Sequence, residues 1–316
     1  MATTGVQTET PSVPRHKTSA AKRRTKQRFN FTPWLFLAVP LLIYLVWVVE
    51  PLFYSFYLSL TDWDGVTNPT FIGLKNYQTL LQDPVLYVSF LNNLKVLSVF
   101  LIVPIAGGLG LAVLFNRPSR MINVLKAAIY SPMVLSFIVI GLIWSWFYLP
   151  NEGALNTLLR SAGLGFLAQS WLSNAQISIF SVTFAACWRQ IGYVMLLYLA
   201  GLNTIDSSLV EAAKVDGANG WQVFLRIIFP LLAPITTIIV IATIIDSLQF
   251  FDLVYIMTKG GPGYASTVLA NFMFTEAFTN FRYGYGAAIA VIQFLLSFIF
   301  IVFYLTYMLR KGADNL

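Results

Sequence analysis

Six side chains inside or beside apolar runs could do chemistry: Arg189, Asp246, Gln249, Phe250, Asp252 and Tyr255. The chain is 57% hydrophobic and 10% charged, with a mean hydropathy of +0.71, where soluble domains carry about 25% charged residues. That composition describes a polytopic membrane protein. At membrane depth an ionisable group costs several kcal/mol unless it is paired or wet, so each one is a functional suspect. Arg189 falls near the middle of one apolar run. Asp246 lies deep in another, with Gln249 and Phe250 three and four positions on and therefore on the same helical face. Two readings stay open: an Arg189–Asp246 ion pair that locks two helices, or a polar lining for a solute path. Lys95 and Glu50 are further charges of this kind. A carbohydrate path needs hydrogen-bonding groups and aromatic faces. Gln249, Phe250, Phe251, Tyr255, Trp188 and Tyr193 could supply them, although membrane interfaces recruit Trp and Tyr anyway.

Other chemistries lack their residues. No GxxxxGK[ST] segment occurs, so a P-loop is not available to cradle nucleotide phosphates. The single histidine, His16, lies in a polar N-terminal stretch, which removes HExxH zinc sites and histidine-based triads. The single cysteine, Cys187, sits inside an apolar run, so there is neither a disulfide framework nor a Cys/His metal cluster. An intramembrane enzyme built on Asp246 and Asp252 meets a geometric objection. Six residues apart on one helix, the two point in different directions.

A net charge of +7 taken alone points toward nucleic acid, but Arg15, Lys17, Lys22, Arg23, Arg24, Lys26 and Arg28 crowd into the first 28 positions. Residues 1–30 read as a disordered basic tail, and a basic tail beside a membrane span orients the chain. The apolar run that follows is too long for a cleaved signal peptide and is read as an uncleaved first span. About twenty apolar residues cross the hydrocarbon core. On that ruler the expected spans are Trp34–Phe53, Val88–Phe115, Val124–Tyr148, Ile177–Leu199, Leu231–Asp252 and Tyr285–Leu309, six in all. Arg117, Arg120, Lys126, Lys214, Arg226, Arg310 and Lys311 then fall on the same side as the basic tail. The other side holds Lys75, Arg160, Lys259 and Arg282. By the positive-inside rule both termini are cytoplasmic. Between Thr61 and Pro84 a compact irregular external loop is expected, with Trp63 and Tyr77 as interfacial aromatics. Within the second span Gly107, Gly108, Gly110 and Ala112 form a small-residue face, suited to close helix packing. Pro40, Pro104 and Pro132 are candidate kinks.

The stretch Asp206–Pro230 is polar and amphipathic, and no membrane span could contain it. Ser208 followed by Glu211 reads as a capping box, which predicts a helix from Leu209 to about Ala218 and a turn at Asn219-Gly220. A second helix, Trp221–Phe229, should end against Pro230. The bland reading is a cytoplasmic loop that caps itself.

The residues Glu211-Ala212-Ala213, Asp216-Gly217 and, after nine further positions, Ile227 through Pro230 resemble the EAA loop of ABC importer membrane subunits. Phe229 stands where that family usually has leucine. The segment Phe251-Asp-Leu-Val-Tyr-Ile-Met-Thr-Lys-Gly-Gly-Pro262 resembles the FDxxYxMTxGGP signature of the maltose and glycerol-3-phosphate type, and Phe71–Tyr77 resembles the entry to the sugar-importer permease core. The resemblance implies an all-α, type I importer fold of six transmembrane helices. Residues 1–30 would be the tail, 31–70 the first helix and the start of an external loop, 71–309 the permease core and 310–316 a C-terminal tail. It implies docking of the EAA loop on separate ATP-binding cassette subunits, two per importer, with ATP and magnesium held there and no cofactor on this chain. It further implies a second, homologous permease, an extracytoplasmic solute-binding protein and a place in the inner membrane of a prokaryote. The chain itself would not be an enzyme. A sugar or oligosaccharide is the expected solute; glycerol phosphate or another polyol is the alternative, and an ion-coupled secondary transporter is the rival class.

Overall fold

The computed structural model describes residues 32–313, together with Ala2 and Gly5. The expected basic tail and the last residues of the C-terminal tail lie outside them. Two units divide at Glu50. The first holds α1 (Thr32–Tyr44), with Pro40 inside it, followed by a π turn over Leu45–Val49. Its side chains from Leu35 to Val48 are almost all apolar and exposed, as an element built to meet lipid requires.

The second unit begins at Pro51, one residue into α2 (Glu50–Ser59). The expected irregular external loop is partly ordered: β1 (Thr61–Asp62) pairs antiparallel with β2 (Thr70–Phe71), and α3 (Lys75–Leu81) follows. Asn76 ties the loop together by donating to the carbonyls of Ser59 and Thr61 at 3.0 and 2.8 Å. Then comes α4 (Pro84–Phe115), started by Asp83, whose carboxylate accepts the Val85 amide at 2.9 Å, and by Pro84 at the first turn.

The expected span Val124–Tyr148, with its candidate kink at Pro132, is broken more sharply than a kink. It is instead α5 (Arg120–Tyr130) with a 3₁₀ turn at Ser131–Val134, then α6 (Phe137–Phe147), and the two parts meet at 104°. Pro132 and the extended residues Leu135 and Ser136 interrupt the ladder, and Ser136 restarts it by capping Val139. After α7 (Ala154–Ser161) come α8 (Ser178–Leu202), α9 (Ser207–Val215), α10 (Gly220–Val223), α11 (Phe229–Leu231), α12 (Ala233–Leu248), α13 (Asp252–Met257), α14 (Leu269–Phe274) and α15 (Tyr283–Ala313). Among the described residues five helical segments are long and apolar enough to cross a membrane, and a sixth crossing results if the bent pair counts as one.

The spine of the bundle is the contact of α4 with α8. Gly108 makes it possible: a methyl group there would lie 2.6 Å from Val194 Cγ1 and 2.9 Å from the backbone nitrogen of Met195. Without water to drive helices together in lipid, such close backbone approach is what holds them. Gly107, Gly108 and Ala112 of the small-residue face of α4 therefore serve packing within this chain, while Gly110 meets nothing within 4 Å. A buried cluster of Ala112, Val194, Met195, Tyr198 and Leu232 fills the seam at one end. Phe100, Ile140, Val182, Phe250 and Leu253 fill it at the other.

Candidate functional site

The second cluster borders a cavity of about 410 Å³. From α8 it receives Ala186, Arg189, Gln190 and Tyr193, and from α12 Ala242 and Asp246. These follow the three-and-four spacing of single helical faces. Phe100 of α4, Met133 of the 3₁₀ turn and Phe137 at the start of α6 close the wall. The 104° bend between α5 and α6 is what brings Met133 and Phe137 here.

The remaining wall is Gln249 through Leu253, five consecutive residues. On a regular helix successive side chains are about 100° apart, so five in a row would circle the axis and Phe251 would face away. The helix is not regular there. α12 stops at Leu248, Gln249 and Phe250 leave helical geometry, and α13 starts afresh at Asp252. The break turns Asp246 and Asp252 into one cavity, correcting the expectation that six residues of helix hold them apart.

Asp246 Oδ2 accepts from Gln190 Nε2 at 3.0 Å. A hydrogen bond to a charged group contributes about 1.5–3 kcal/mol. Arg189 makes no ion pair with Asp246 within 4.0 Å; among the described residues the one such pair is Arg282–Glu276, at 3.0 Å on another part of the chain. The interhelical Arg189–Asp246 lock, one of the two readings left open by the sequence, is thus absent as a direct contact. The Arg189 guanidinium lies 4.3 Å from the centre of the Phe137 ring instead, and its buried Nε has no protein partner. Phe250 meets Phe100 edge-on at 5.6 Å. The arrangement combines one cation, two carboxylates, two amides and several aromatic faces around a volume suited to a small ligand.

Of the six residues singled out, Arg189, Asp246, Gln249, Phe250 and Asp252 line this cavity. Tyr255 does not. It stacks on Phe251 at 5.3 Å and meets Phe274 edge-on at 5.1 Å, one turn beyond the break. Trp188 also turns away, against Trp144 at 6.0 Å, whereas Tyr193 does line the wall. Gln190 was not among the expected residues; its signal was a polar amide one position from Arg189 on an apolar helix. Lys95 stands outside the cavity and donates to Asn92 Oδ1 at 3.0 Å.

The polar segment 206–230 is exposed along most of its length. Its caps differ from the expected Ser208–Glu211 box. Asp206 is the cap of α9: its carboxylate accepts the Ser208 amide at 2.9 Å, which holds its carboxyl below the usual range, and Glu211 is left exposed. The box lies eleven residues on, where Asn219 and Gln222 bond each other's backbone amides at 2.9 Å. α9 ends at Val215 rather than at Ala218, in a Schellman motif: Ala218 N–H donates to Ala213 O and Gly217 N–H to Lys214 O. Gly217 has φ +87, the left-handed conformation that this motif asks for. The second helix does not stop at Pro230. A π turn over Phe224–Ile228 carries it on, with Phe229 N–H bonding Phe224 O five residues back, and Pro230 is absorbed within α11. Glu211, Ala212, Asp216, Gly217 and Pro230 are exposed, while Ala213 and Ile227 are half-buried. Val215 and Trp221 add apolar surface, 87% and 68% exposed.

Residues 102–314 match the family model described as binding-protein-dependent transport system inner membrane component. A protein named "Probable ABC transporter permease protein" from Pyrococcus horikoshii is 34% identical over 282 residues, covering 89% of this chain and 96% of its own. The "Probable starch degradation products transport system permease protein" of Thermoanaerobacterium thermosulfurigenes is 34% identical, covering 83% of this chain and 89% of its own. The "Multiple sugar-binding transport system permease protein" of Streptococcus mutans is 32% identical, covering 83% and 90%. In fold, the chain resembles a chain of a bacterial ABC transporter involved in the import of the acidic polysaccharide alginate, with a TM-score of 0.76, 20% identity and coverage of 89% and 96%. Its apolar helices, its fold and these relatives agree: the chain belongs to the binding-protein-dependent transport system inner membrane component family, and is a multi-pass membrane permease subunit of an ABC importer.

Proposed function

We propose that this permease passes a sugar or short oligosaccharide, and that the cavity between α4, α6, α8 and α12 is this chain's share of the solute path. The observation that carries the reading is the lining itself: amides, carboxylates and one guanidinium interleaved with Phe100, Phe137, Phe250 and Phe251. Hydroxyl-rich rings need that mixture, polar groups for their edges and aromatic faces for their C–H surfaces. The names of the starch-product and multiple-sugar relatives support the same solute class.

The energy would come from outside the chain. Segment 206–230 is exposed and carries Glu211, Ala212, Ala213, Asp216, Gly217, Ile227 and Pro230; we assign it to docking on one of the importer's two ATP-binding cassette subunits, where ATP and magnesium would be held. A second, homologous permease would complete the path, and a solute-binding protein would deliver to its outer mouth. Both termini would be cytoplasmic, on the side of the docking segment. Closure of the ATPases would move α9 to α11, the break at 249–251 would shift with α12, and the cavity would open outward.

The test is uptake into vesicles that hold the reconstituted importer, using labelled mono-, di- and trisaccharides alongside glycerol 3-phosphate. ATP-dependent, saturable uptake of a saccharide is expected, with KM raised by Asp246→Ala and by Gln249→Ala. The cavity assignment fails if both variants are made in normal amounts and leave uptake and solute preference unchanged. Flux that collapses with an uncoupler while ATP stays high would point to ion coupling instead.

A further inference from the structure

A helix break inside a membrane has to be held, because the last four carbonyls of the stopped helix have no partner of their own. At the end of α12 the partners are side-chain amides from two other helices. Asn93 of α4 donates Nδ2 to Ser247 O at 3.2 Å and reaches Leu248 O at 3.5 Å. Gln293 of α15 donates Nε2 to Leu248 O at 2.9 Å. The same Asn93 uses its Oδ1 to accept the Leu269 amide at 2.9 Å. That amide is the first of α14, a helix whose own N-cap residue, Val268, offers no side-chain bond. One fully buried amide therefore closes the carboxyl end of one helix and the amino end of another. Its neighbour Asn92 grips the segment between them, donating to Ala265 O at 2.8 Å and Thr267 O at 2.9 Å.

We propose that Asn93 and Gln293 are positioning residues for solute selection: by capping Ser247 and Leu248 they fix the break that turns Phe251 and Asp252 into the cavity. Neither residue lines the cavity. They act through the backbone carbonyls immediately before Gln249. This rests on the cavity being the solute path. If the caps are lost, α12 can run on as regular helix, and residue 252 then rotates off the face shared by Ala242 and Asp246.

The measurement is the rate at which a charged, water-soluble methanethiosulfonate reagent modifies Asp252→Cys in the assembled importer. Cys187 is the chain's single cysteine and is buried, so it adds little background. Asn93→Asp keeps the acceptor for Leu269 and removes the donor to Ser247 and Leu248; Gln293→Met removes the other donor at nearly constant volume. Each is expected to slow modification of residue 252 on the order of tenfold, as befits a buried carbonyl stripped of its donor. A reporter at Tyr193→Cys, on α8 and away from the break, should keep its rate. Should Asn93→Asp fail to assemble, Gln293→Met decides alone. An Asp252→Cys rate that Gln293→Met leaves unchanged overturns the proposal. If Asp252→Cys and Tyr193→Cys are both unreactive before either cap is touched, the cavity is not an aqueous path and the broader reading falls with it.

Discussion

Gly217 separates two explanations for the importance of the exposed segment, since its space and its conformation make different demands. A Cβ built at residue 217 meets nothing within 4 Å, so an added methyl has room within this chain. The cost of Gly217→Ala is conformational: φ is +87, and an L-residue in the left-handed region costs about 1–2 kcal/mol. That cost falls on the Schellman closure, the two bonds from Gly217 and Ala218 back to Lys214 and Ala213. If the capped form of α9 is the one that docks, a penalty of that size lowers coupled turnover about 5–30-fold. Asparagine tolerates the left-handed region, so Gly217→Asn should retain most of the coupling despite its larger side chain. The assay is solute-stimulated ATP hydrolysis and uptake by the reconstituted importer, with complex yield as the control. Wild-type turnover in Gly217→Ala would refute the argument from the cap. Equal loss in both variants would mean that bulk at the docking surface, and not backbone shape, is decisive.

Three further outcomes are expected. Gly108→Ala forces a methyl group against Val194 and the backbone of Met195, and overpacking of this sort costs about 1–3 kcal/mol; Gly110→Ala, which meets nothing within 4 Å, should melt like wild type in detergent. Gln190→Leu strips Asp246 of its donor and should raise the KM for solute by the worth of one bond to a charged group, about 1.5–3 kcal/mol, without changing basal ATP hydrolysis. In the loop between α2 and α3 Asp64 accepts the Thr67 and Val66 amides and the Thr67 hydroxyl, which pulls its carboxyl from the ordinary 3.8 to about 2. A folded value below the unfolded one makes the turn's contribution fully present above the ordinary value and lost as pH falls through about 2. An Asp64 carbon resonance that titrates near its ordinary value would contradict this.

Much of the cavity was legible because charge is conspicuous in an apolar chain. Arg189 and Asp246 stood out by cost alone, and Gln249 and Phe250 by their spacing from Asp246. What pattern could not supply was the irregular backbone. Nothing in the periodicity of 233–257 announces where the helix stops, since the caps that stop it, Asn93 and Gln293, lie far away in sequence. That is why Asp252 was expected to diverge from Asp246; Tyr255 was named for its aromatic face alone, which says nothing of where the backbone carries it. Phe137 and Met133 escaped for a related reason: apolar residues carry no penalty to flag them, and only the bend after Pro132 delivers them. In the exposed segment both Asp206 and Ser208 are good cap residues, and the carboxylate two places earlier took the role. Pro230 reads as a stop in sequence, but a π turn shifts the bonding pattern by one and lets the helix run through it.

The unbroken stretch Gln249–Leu253 bears on how such an importer changes its diet. Along an ordinary helix, reshaping one wall means altering positions scattered over three or four turns while sparing those between. Here neighbouring codons write most of one wall, so on the proposed solute path a few adjacent substitutions at Gln249, Phe251 and Asp252 would alter the cargo, while Phe250 and Leu253 between them stay committed to the buried core.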